Sequence, residues 1–243
     1  MQIAIILYPG FTALDALGPY EVFKMLPGVE LRFVAHETGP VETDRGILVV
    51  GATHSFAETT APDLVLVPGS EAQTAIAAAD GSLIRWLRSV HNGTMFTASV
   101  CSGAIVIAAA GLLRGRNATT HWAAMDALGR LGARPQPTER VVRSGKVWTA
   151  AGVSAGIDLA FTLAEEIAGR EMAERIQLMI EYDPHPPQNA GHIDKAPPAV
   201  AKAARAEMRR LSRNRMTVVA LAKIGWRKAI GRVRRRSPQG AIA

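Results

Sequence analysis

Short continuous apolar runs alternate with stretches of helical periodicity from the first residues to Tyr182. Each apolar run has the length of a strand and is followed by Gly, Pro or polar residues, which favours buried strands. The predicted strands cover residues 2–8, 29–35, 46–50, Leu64–Val67, 94–100, 140–143 and 146–149. The predicted helices cover residues 15–26, 73–91, 102–113, 122–131, 154–167, 171–182 and 199–213. This alternation predicts an α/β fold with a mostly parallel central sheet and helices on both faces.

The elements follow one another without a linker, so we expect one α/β domain over residues 1–198, closed by a proline-rich segment. Residues 199–243 are predicted to form a helix and a basic C-terminal tail. The net charge of +7 comes from this end of the chain. Residues 195–243 hold 14 Lys and Arg against one acid, or +13, which leaves −6 for residues 1–194. The tail could be a solvated extension, or it could contact an anionic membrane surface or nucleic acid.

Cysteine usage and the N-terminus indicate the compartment. A single cysteine excludes an intrachain disulfide and a cysteine-based zinc site, and it fits a reducing environment. The N-terminal apolar run has no basic region before it, and no run approaches the ~20 residues that a membrane-spanning helix needs. We therefore expect a cytoplasmic protein without a metal site.

That cysteine, Cys101, lies where the apolar run 94–100 meets a helical run. Small residues stand two positions before it and two after it, at Ser99 and Gly103, which is the spacing of a nucleophile elbow. The helix that follows would direct its free N–H groups and positive dipole at the sulfur, which favours the thiolate. The alternative is a buried structural cysteine on an apolar helix.

Two further strand ends carry groups that could join Cys101 in one site. Reactive groups in an open α/β sheet lie beyond the carboxyl ends of its strands. The first strand leads to Asp15, and the strand Leu64–Val67 leads to Gly69 and Ser70. Because Gly69 has no side chain, the N–H groups of Ser70 and of the residue after the cysteine could bind negative charge on a substrate. Asp15 could instead be a helix N-cap.

Proton transfer in this group falls to Asp15, Ser102 or water, because no histidine adjoins Cys101. His121 could come near in space, although the segment around it also indicates a helix start. A thiol and a carboxyl held close should titrate as a pair that shares a proton. Such a pair can protonate a substrate that sulfur attacks, but it is poorly suited to expelling an amine from an amide. The residues therefore favour addition to an unsaturated carbon over hydrolysis of a peptide.

Several segments carry the pattern of a known superfamily. They are Phe11-Thr-Ala-Leu-Asp-Ala-Leu-Gly-Pro19, Val67-Pro-Gly-Ser70, Ser99-Val-Cys-Ser-Gly-Ala104, Asn117-Ala-Thr-Thr-His-Trp122 and Gln177-Leu-Met-Ile-Glu-Tyr182. On these segments residues 1–215 resemble the ThiJ/PfpI superfamily. Asp15, the Thr-Thr-His-Trp block and the proline-rich sequel to Tyr182 are similar to its isocyanide hydratase branch.

The resemblance implies a flavodoxin-like sandwich, a homodimer and a cofactor-free hydration of an isocyanide to an N-substituted formamide. It implies that Cys101 attacks the isocyanide carbon to give a thioimidate that water hydrolyses, and that Asp15 handles protons. Ser102 stands where the hydratases usually have threonine, so the hydroxyl is kept. Ser70 stands where the turn commonly has a second glycine, and it would be strained if that position required a positive φ.

Three functional interpretations follow. The first is the hydratase, with Cys101, Asp15 and Ser102 as catalytic residues, and with Gly69, Ser70 and His121 binding the substrate or its negative charge. The second is a non-catalytic ligand- or redox-sensing module with an oxidation-prone cysteine. Relatives of that kind carry an AraC-type helix-turn-helix region, for which the 45 residues after Pro198 are too few. The third, hydrolysis of amides or peptides, is disfavoured by the missing adjacent histidine.

Overall fold

A computed structural model describes residues 1–212, 219–220 and 222–224 of the chain. Its strands are β1 (Gln2–Ile6), β2 (Glu30–Ala35), β3 (Gly39–Glu42), β4 (Val49–Ala52), β5 (His54–Ser55), β6 (Leu64–Val67), β7 (Phe96–Ser99), β8 (Asn117–Ala118), β9 (Arg134–Pro135), β10 (Val141–Ser144) and β11 (Val147–Ala150). Its helices are α1 (Ala13–Phe23), α2 (Thr74–Ala79), α3 (Gly81–His91), α4 (Gly103–Ala109), α5 (Met125–Arg130), α6 (Ala155–Ala168), α7 (Arg170–Met179) and α8 (Pro198–Ser212).

The central sheet has seven strands in the order β10-β11-β7-β6-β1-β2-β5. All neighbours are parallel except β10 and β11, which form the hairpin that the sequence predicts at Ser144 and Gly145. The strands β6 and β7 are buried along their whole length. This burial explains why their sequences are continuously apolar or small rather than alternating. The predicted α/β fold is confirmed.

The helices pack in two groups. The helices α1, α6 and α7 form one group, and α2, α3, α4 and α5 form the other. In the first group α1 approaches α6 closely at Gly18, where a Cβ atom would lie 2.9 Å from Cγ1 of Ile157. A larger side chain at this position would push the two helices apart.

Two sequence predictions were wrong in detail. The helix predicted over residues 73–91 is two helices, because Asp80 is extended and its carboxylate accepts hydrogen bonds from the N–H groups of Ser82 and Leu83. That carboxylate caps the start of α3, which ends α2 at the preceding residue. The strand predicted over residues 46–50 is instead the second strand, β4, of a hairpin with β3 outside the central sheet.

The proline-rich segment after α7 leads to α8, which follows the helix prediction closely. The hydroxyl of Tyr182 lies 2.7 Å from the Asp158 carboxylate at the start of this segment. Most of the basic tail lies outside the described residues, and so does the prediction that it contacts a membrane or nucleic acid. Within the described residues, no helix is both long enough and apolar enough to cross a membrane.

Candidate active site

The strands β1, β6 and β7 are adjacent in the sheet, so the three predicted strand ends lie at one edge. Asp15 is buried in the first turn of α1 and follows the N-cap residue Thr12 by three positions. The N-cap interpretation of Asp15 is therefore wrong, and its carboxyl is free to take part in the site.

Cys101 occupies the strained turn of an elbow. Its φ is +56°, and among the described residues only one other non-glycine residue has a positive φ. The backbone holds this conformation through two hydrogen bonds. The Cys101 N–H donates to the Ala151 carbonyl at 2.8 Å, and the Thr120 hydroxyl donates to the Cys101 carbonyl at 2.8 Å. At Gly103 a Cβ atom would lie 2.1 Å from the Val67 carbonyl oxygen, so only glycine fits. The surrounding structure thus fixes a conformation that isolated chains avoid.

The Asp15 carboxyl is held by the turn after β6. Its Oδ2 atom accepts a hydrogen bond from the Gly69 N–H at 2.8 Å, while Oδ1 is buried without a hydrogen-bond partner in the described part of the chain. A Cβ atom at Gly69 would lie 2.5 Å from Ser102 Oγ and 3.0 Å from Asp15 Oδ2. Gly69 is therefore needed for the close approach of the turn, the carboxyl and the elbow.

Burial sets the protonation of the Asp15–Cys101 pair. Burial raises the pKa of Asp15 to about 7, although the hydrogen bonds from Gly69 and from the Cys101 thiol lower it. Burial, and then the negative charge of Asp15, raise the pKa of the Cys101 thiol well above its usual range. The prediction that the helix N-terminus favours the thiolate was wrong, because desolvation outweighs it. The pair retains a proton at neutral pH.

Two backbone groups and one hydroxyl act in the opposite direction. The N–H groups of Val153 and Ser102 and the Ser102 hydroxyl lower the pKa of the Cys101 thiol. These groups favour negative charge on the sulfur. Val153 was missed in the sequence, since it follows β11, a strand that carries no conspicuous reactive residue.

Three buried hydroxyls, those of Ser70, Thr74 and Ser102, form a cluster beside the elbow. Thr74 Oγ1 lies 2.6 Å from Ser102 Oγ and 3.1 Å from Ser70 Oγ. The Ser70 N–H donates to Thr74 Oγ1 at 3.0 Å and to Ser102 Oγ at 3.1 Å. Ser70 does not have a positive φ, so the strain considered for serine at this position is absent. Its N–H is bonded within the cluster rather than directed at a substrate.

The Ser70 backbone ties the cluster together. Its N–H donates to the oxygens of both Thr74 and Ser102, and its carbonyl accepts from the Ser102 hydroxyl at 3.2 Å. In the contact between the Thr74 and Ser102 hydroxyls either oxygen can be the donor. Thr74 thus helps to position the Ser102 hydroxyl beside Cys101.

His121 faces the same cavity as Cys101. Its Nδ1 atom accepts a hydrogen bond from the Ala123 N–H at 3.3 Å at the start of the turn Trp122–Ala124, so the predicted helix-start role is correct. Burial lowers the pKa of His121, which favours the neutral ring. Because Nδ1 is an acceptor, the neutral ring carries its proton on Nε2 and can donate it.

The cavity has a volume of about 560 Å³, a size suited to a small organic ligand. Small and apolar side chains supply much of its lining, and α8 contributes three residues from the far end of the chain. The lining residues are Thr12, Ser70, Glu71, Ala72, Thr74, Ala75, Cys101, Ser102, Ile105, His121, Trp122, Ala123, Ala124, Asp126, Ala127, Val153, Arg205, Met208 and Arg209. Four of the six predicted site residues are among them. The other two, Asp15 and Gly69, do not line the cavity and are hydrogen-bonded to each other. Among the described residues, no group of three or more His, Cys, Asp or Glu side chains is placed to hold a metal ion.

Known proteins share this fold and much of this sequence. The sequence model of the DJ-1/PfpI family matches residues 1–166. An isonitrile hydratase of Pseudomonas putida is 41% identical over 205 residues, which are 84% of this chain and 89% of that protein. An HTH-type transcriptional regulator of Pseudomonas aeruginosa is 29% identical over 178 residues, which are 70% of this chain and 52% of the regulator. The crystal structure of a ThiJ/PfpI family protein from Pseudomonas syringae is 37% identical and has a TM-score of 0.85, and the match covers 92% of this chain and 90% of that one.

Proposed function

The chain belongs to the DJ-1/PfpI family, and we propose that it adds water to an isocyanide to give an N-substituted formamide. The observation that carries the proposal is a buried thiol, Cys101, paired with a buried carboxyl, Asp15. No histidine is hydrogen-bonded to the sulfur among the described residues. The similarity to the isonitrile hydratase of Pseudomonas putida over most of both chains supports the same reaction.

In the first step the thiol adds across the isocyanide carbon. The Cys101 sulfur forms a bond to that carbon while its proton passes to the Asp15 carboxylate. The protonated Asp15 then gives the proton to the same carbon, and the product is a thioimidate, R–N=CH–S–Cys101. A pKa of about 7 suits Asp15 to both halves of this transfer, because neither direction is strongly uphill at neutral pH.

In the second step water hydrolyses the thioimidate. Water adds to its carbon, and Asp15 carries a proton from the water to the substrate nitrogen. The carbon–sulfur bond then breaks as the carbonyl forms, and the hydroxyl proton returns through Asp15 to the sulfur. The products are R–NH–CHO and the Cys101 thiol, so no other reactant is needed.

Backbone and hydroxyl groups stabilise the sulfur in both steps. The N–H groups of Val153 and Ser102 and the Ser102 hydroxyl lower the pKa of the Cys101 thiol, and we assign to them the stabilisation of the negative charge that develops on the sulfur. Gly69 holds Asp15, and Ser70 completes the hydroxyl cluster. We assign to the Nε2–H of His121 a hydrogen bond to the substrate nitrogen or to the attacking water.

The sensing function is the weaker candidate. The regulator from Pseudomonas aeruginosa is less similar than the hydratase, and this chain spans about half of its length. Oxidation of a cysteine follows its thiolate character, and the raised pKa of Cys101 opposes that. A redox sensor would require a more acidic thiol.

We also propose a homodimer that uses the β3–β4 hairpin. Ile47 is 90% exposed, and Leu48 and Val49 beside it are about half exposed, so the hairpin presents an apolar surface of the kind that partners cover. Light scattering should give the mass of a dimer for the full chain and of a monomer for Ile47→Asp. A monomeric wild-type protein would contradict this.

For the tail outside the described residues, contact with an anionic membrane surface or nucleic acid stays a proposal. It predicts salt-sensitive retention on lipid or DNA that is lost on deleting 217–243.

Hydration in deuterium oxide tests the reaction. The formyl carbon should carry deuterium, because its hydrogen comes from the exchangeable Cys101–Asp15 proton, and NMR of the formamide would detect it. Cys101→Ala should make no formamide above the uncatalysed rate. Formamide production by Cys101→Ala at the wild-type rate would rule out the mechanism.

A further inference from the structure

The cavity that holds the nucleophile is also lined by arginines from the C-terminal helix. Arg205, Met208 and Arg209 on α8 line the same cavity as Cys101. The guanidinium carbon of Arg205 lies 5.6 Å from the centre of the Trp122 ring, a distance at which the cation is attracted to the ring face. Arg209 Nε donates to the Arg205 carbonyl at 3.1 Å. The contact with the Trp122 ring holds the Arg205 head group at the cavity wall.

Two arginines, Arg205 and Arg209, and two acids, Glu71 and Asp126, line the cavity. Glu71 is already paired at 2.9 Å with Arg45, which lies outside the lining. Within the described residues Arg205 forms no ion pair. Its guanidinium can therefore bind an anion from a ligand in the cavity.

Much of the remaining lining is small or apolar. Ala72, Ala75, Ile105, Ala127 and Met208 supply surface that suits a hydrocarbon body. A ligand that fills this cavity would place an apolar body against these side chains, with its reactive end at Cys101 and a polar end at α8.

We propose that the preferred substrates are isocyanides whose apolar body carries a carboxylate, and that Arg205 is the residue that selects them. This inference rests on the proposed hydration. A planar guanidinium can bind a carboxylate through two parallel hydrogen bonds, and the Trp122 ring holds that plane. Arg205 acts in substrate binding and takes no part in the proton transfers.

The test compares para-isocyanobenzoate with its methyl ester, which has nearly the same shape and no charge. The wild-type protein should hydrate the acid with the higher kcat/KM, and added salt should reduce this preference, because Arg205 is exposed to solvent. Arg205→Gln should lower the acid-to-ester ratio of kcat/KM about fivefold, the size expected of a partly solvated ion pair. Lys202→Gln is the matched control, since it removes the same charge from an exposed position of α8 that does not line the cavity. It should leave the ratio unchanged.

The outcomes separate the two claims. A ratio that Arg205→Gln does not change would overturn the selection of carboxylates and leave hydration standing. If neither compound is hydrated, hydration is contradicted, and calorimetric binding of para-formamidobenzoate and its methyl ester decides the rest. Tighter binding of the acid that is lost in Arg205→Gln would support the anion site, and equal binding of both would overturn it.

Discussion

Thr74 Oγ1 lies 2.6 Å from Ser102 Oγ, and neither hydroxyl reaches solvent freely. Thr74 opens α2 and Ser102 follows the elbow, so the contact joins two neighbouring connections at the edge of the sheet. The Ser70 N–H donates to both of these oxygens, at 3.0 Å to Thr74 and at 3.1 Å to Ser102, and so holds the two hydroxyls together. Thr74 therefore helps to position the hydroxyl that lies beside Cys101.

Thr74→Val should lower kcat about tenfold, because it removes one hydrogen bond to a buried hydroxyl, while Thr74→Ser should stay close to the wild type. Steady-state kinetics on one isocyanide, with thermal unfolding as a check of folding, would measure this. Thr59→Val is the matched control: Thr59 is also buried, and its hydroxyl has no partner in the described structure. Equal losses in the two valine variants would show that the effect of Thr74 is only structural.

The rate should depend on the ionisation of Asp15. In the proposed mechanism its carboxylate accepts the thiol proton, so kcat/KM should rise with pH up to about 7, the pKa that burial gives Asp15, and level off above it. Asp15→Asn keeps an acceptor for the Gly69 N–H but cannot take a proton, so it should be slower by at least about a hundredfold and lose this rise. A wild-type profile that is flat from pH 5 to pH 8 would contradict the role of Asp15.

Folding stability should depend on the same ionisation, but it should fall with rising pH, whereas kcat/KM should rise. The pKa of Asp15 is raised in the folded protein, so the folded state holds a proton that the unfolded state releases as the pH rises past about 4. The stabilising effect of this proton is complete below that pH and is lost as the pH rises through about 7. The free energy of unfolding of the wild type should therefore fall relative to that of Asp15→Asn, by on the order of 3 kcal/mol between pH 4 and pH 8. Urea unfolding of both proteins at each pH would measure it, and parallel curves would show that Asp15 is not buried as described.

The sequence predicted site residues best where they directly follow a strand. Cys101, Asp15 and Gly69 follow strands that are adjacent in the sheet, so their meeting could be predicted from strand order alone. Thr74 and Val153 also follow strand ends of this sheet, but their side chains carry no sign of a catalytic role in the sequence. Arg205 could not be found in this way, because it reaches the cavity through the packing of α8, an element distant in the chain. The ionisation of Cys101 was predicted wrongly for a related reason. A local motif shows the helix dipole, whereas desolvation depends on all the elements that bury the sulfur.

The break at Asp80 is a different case, because its signal was present in the chain. Asp followed by Gly and Ser is typical of a helix start, but the apolar periodicity continued across it and suggested one long helix. The structure shows that the cap prevails over the periodicity here.

The covalent intermediate is the most direct test of the account. An isocyanide mixed with excess protein and quenched with acid within milliseconds should leave a Cys101 peptide heavier by the full mass of the isocyanide, since the thiol adds to it without a leaving group. The adduct should rise and decay at rates that match formamide release, and Cys101→Ser should not form it. Formamide release by the wild type with no mass added to Cys101 at any time would contradict the thioimidate.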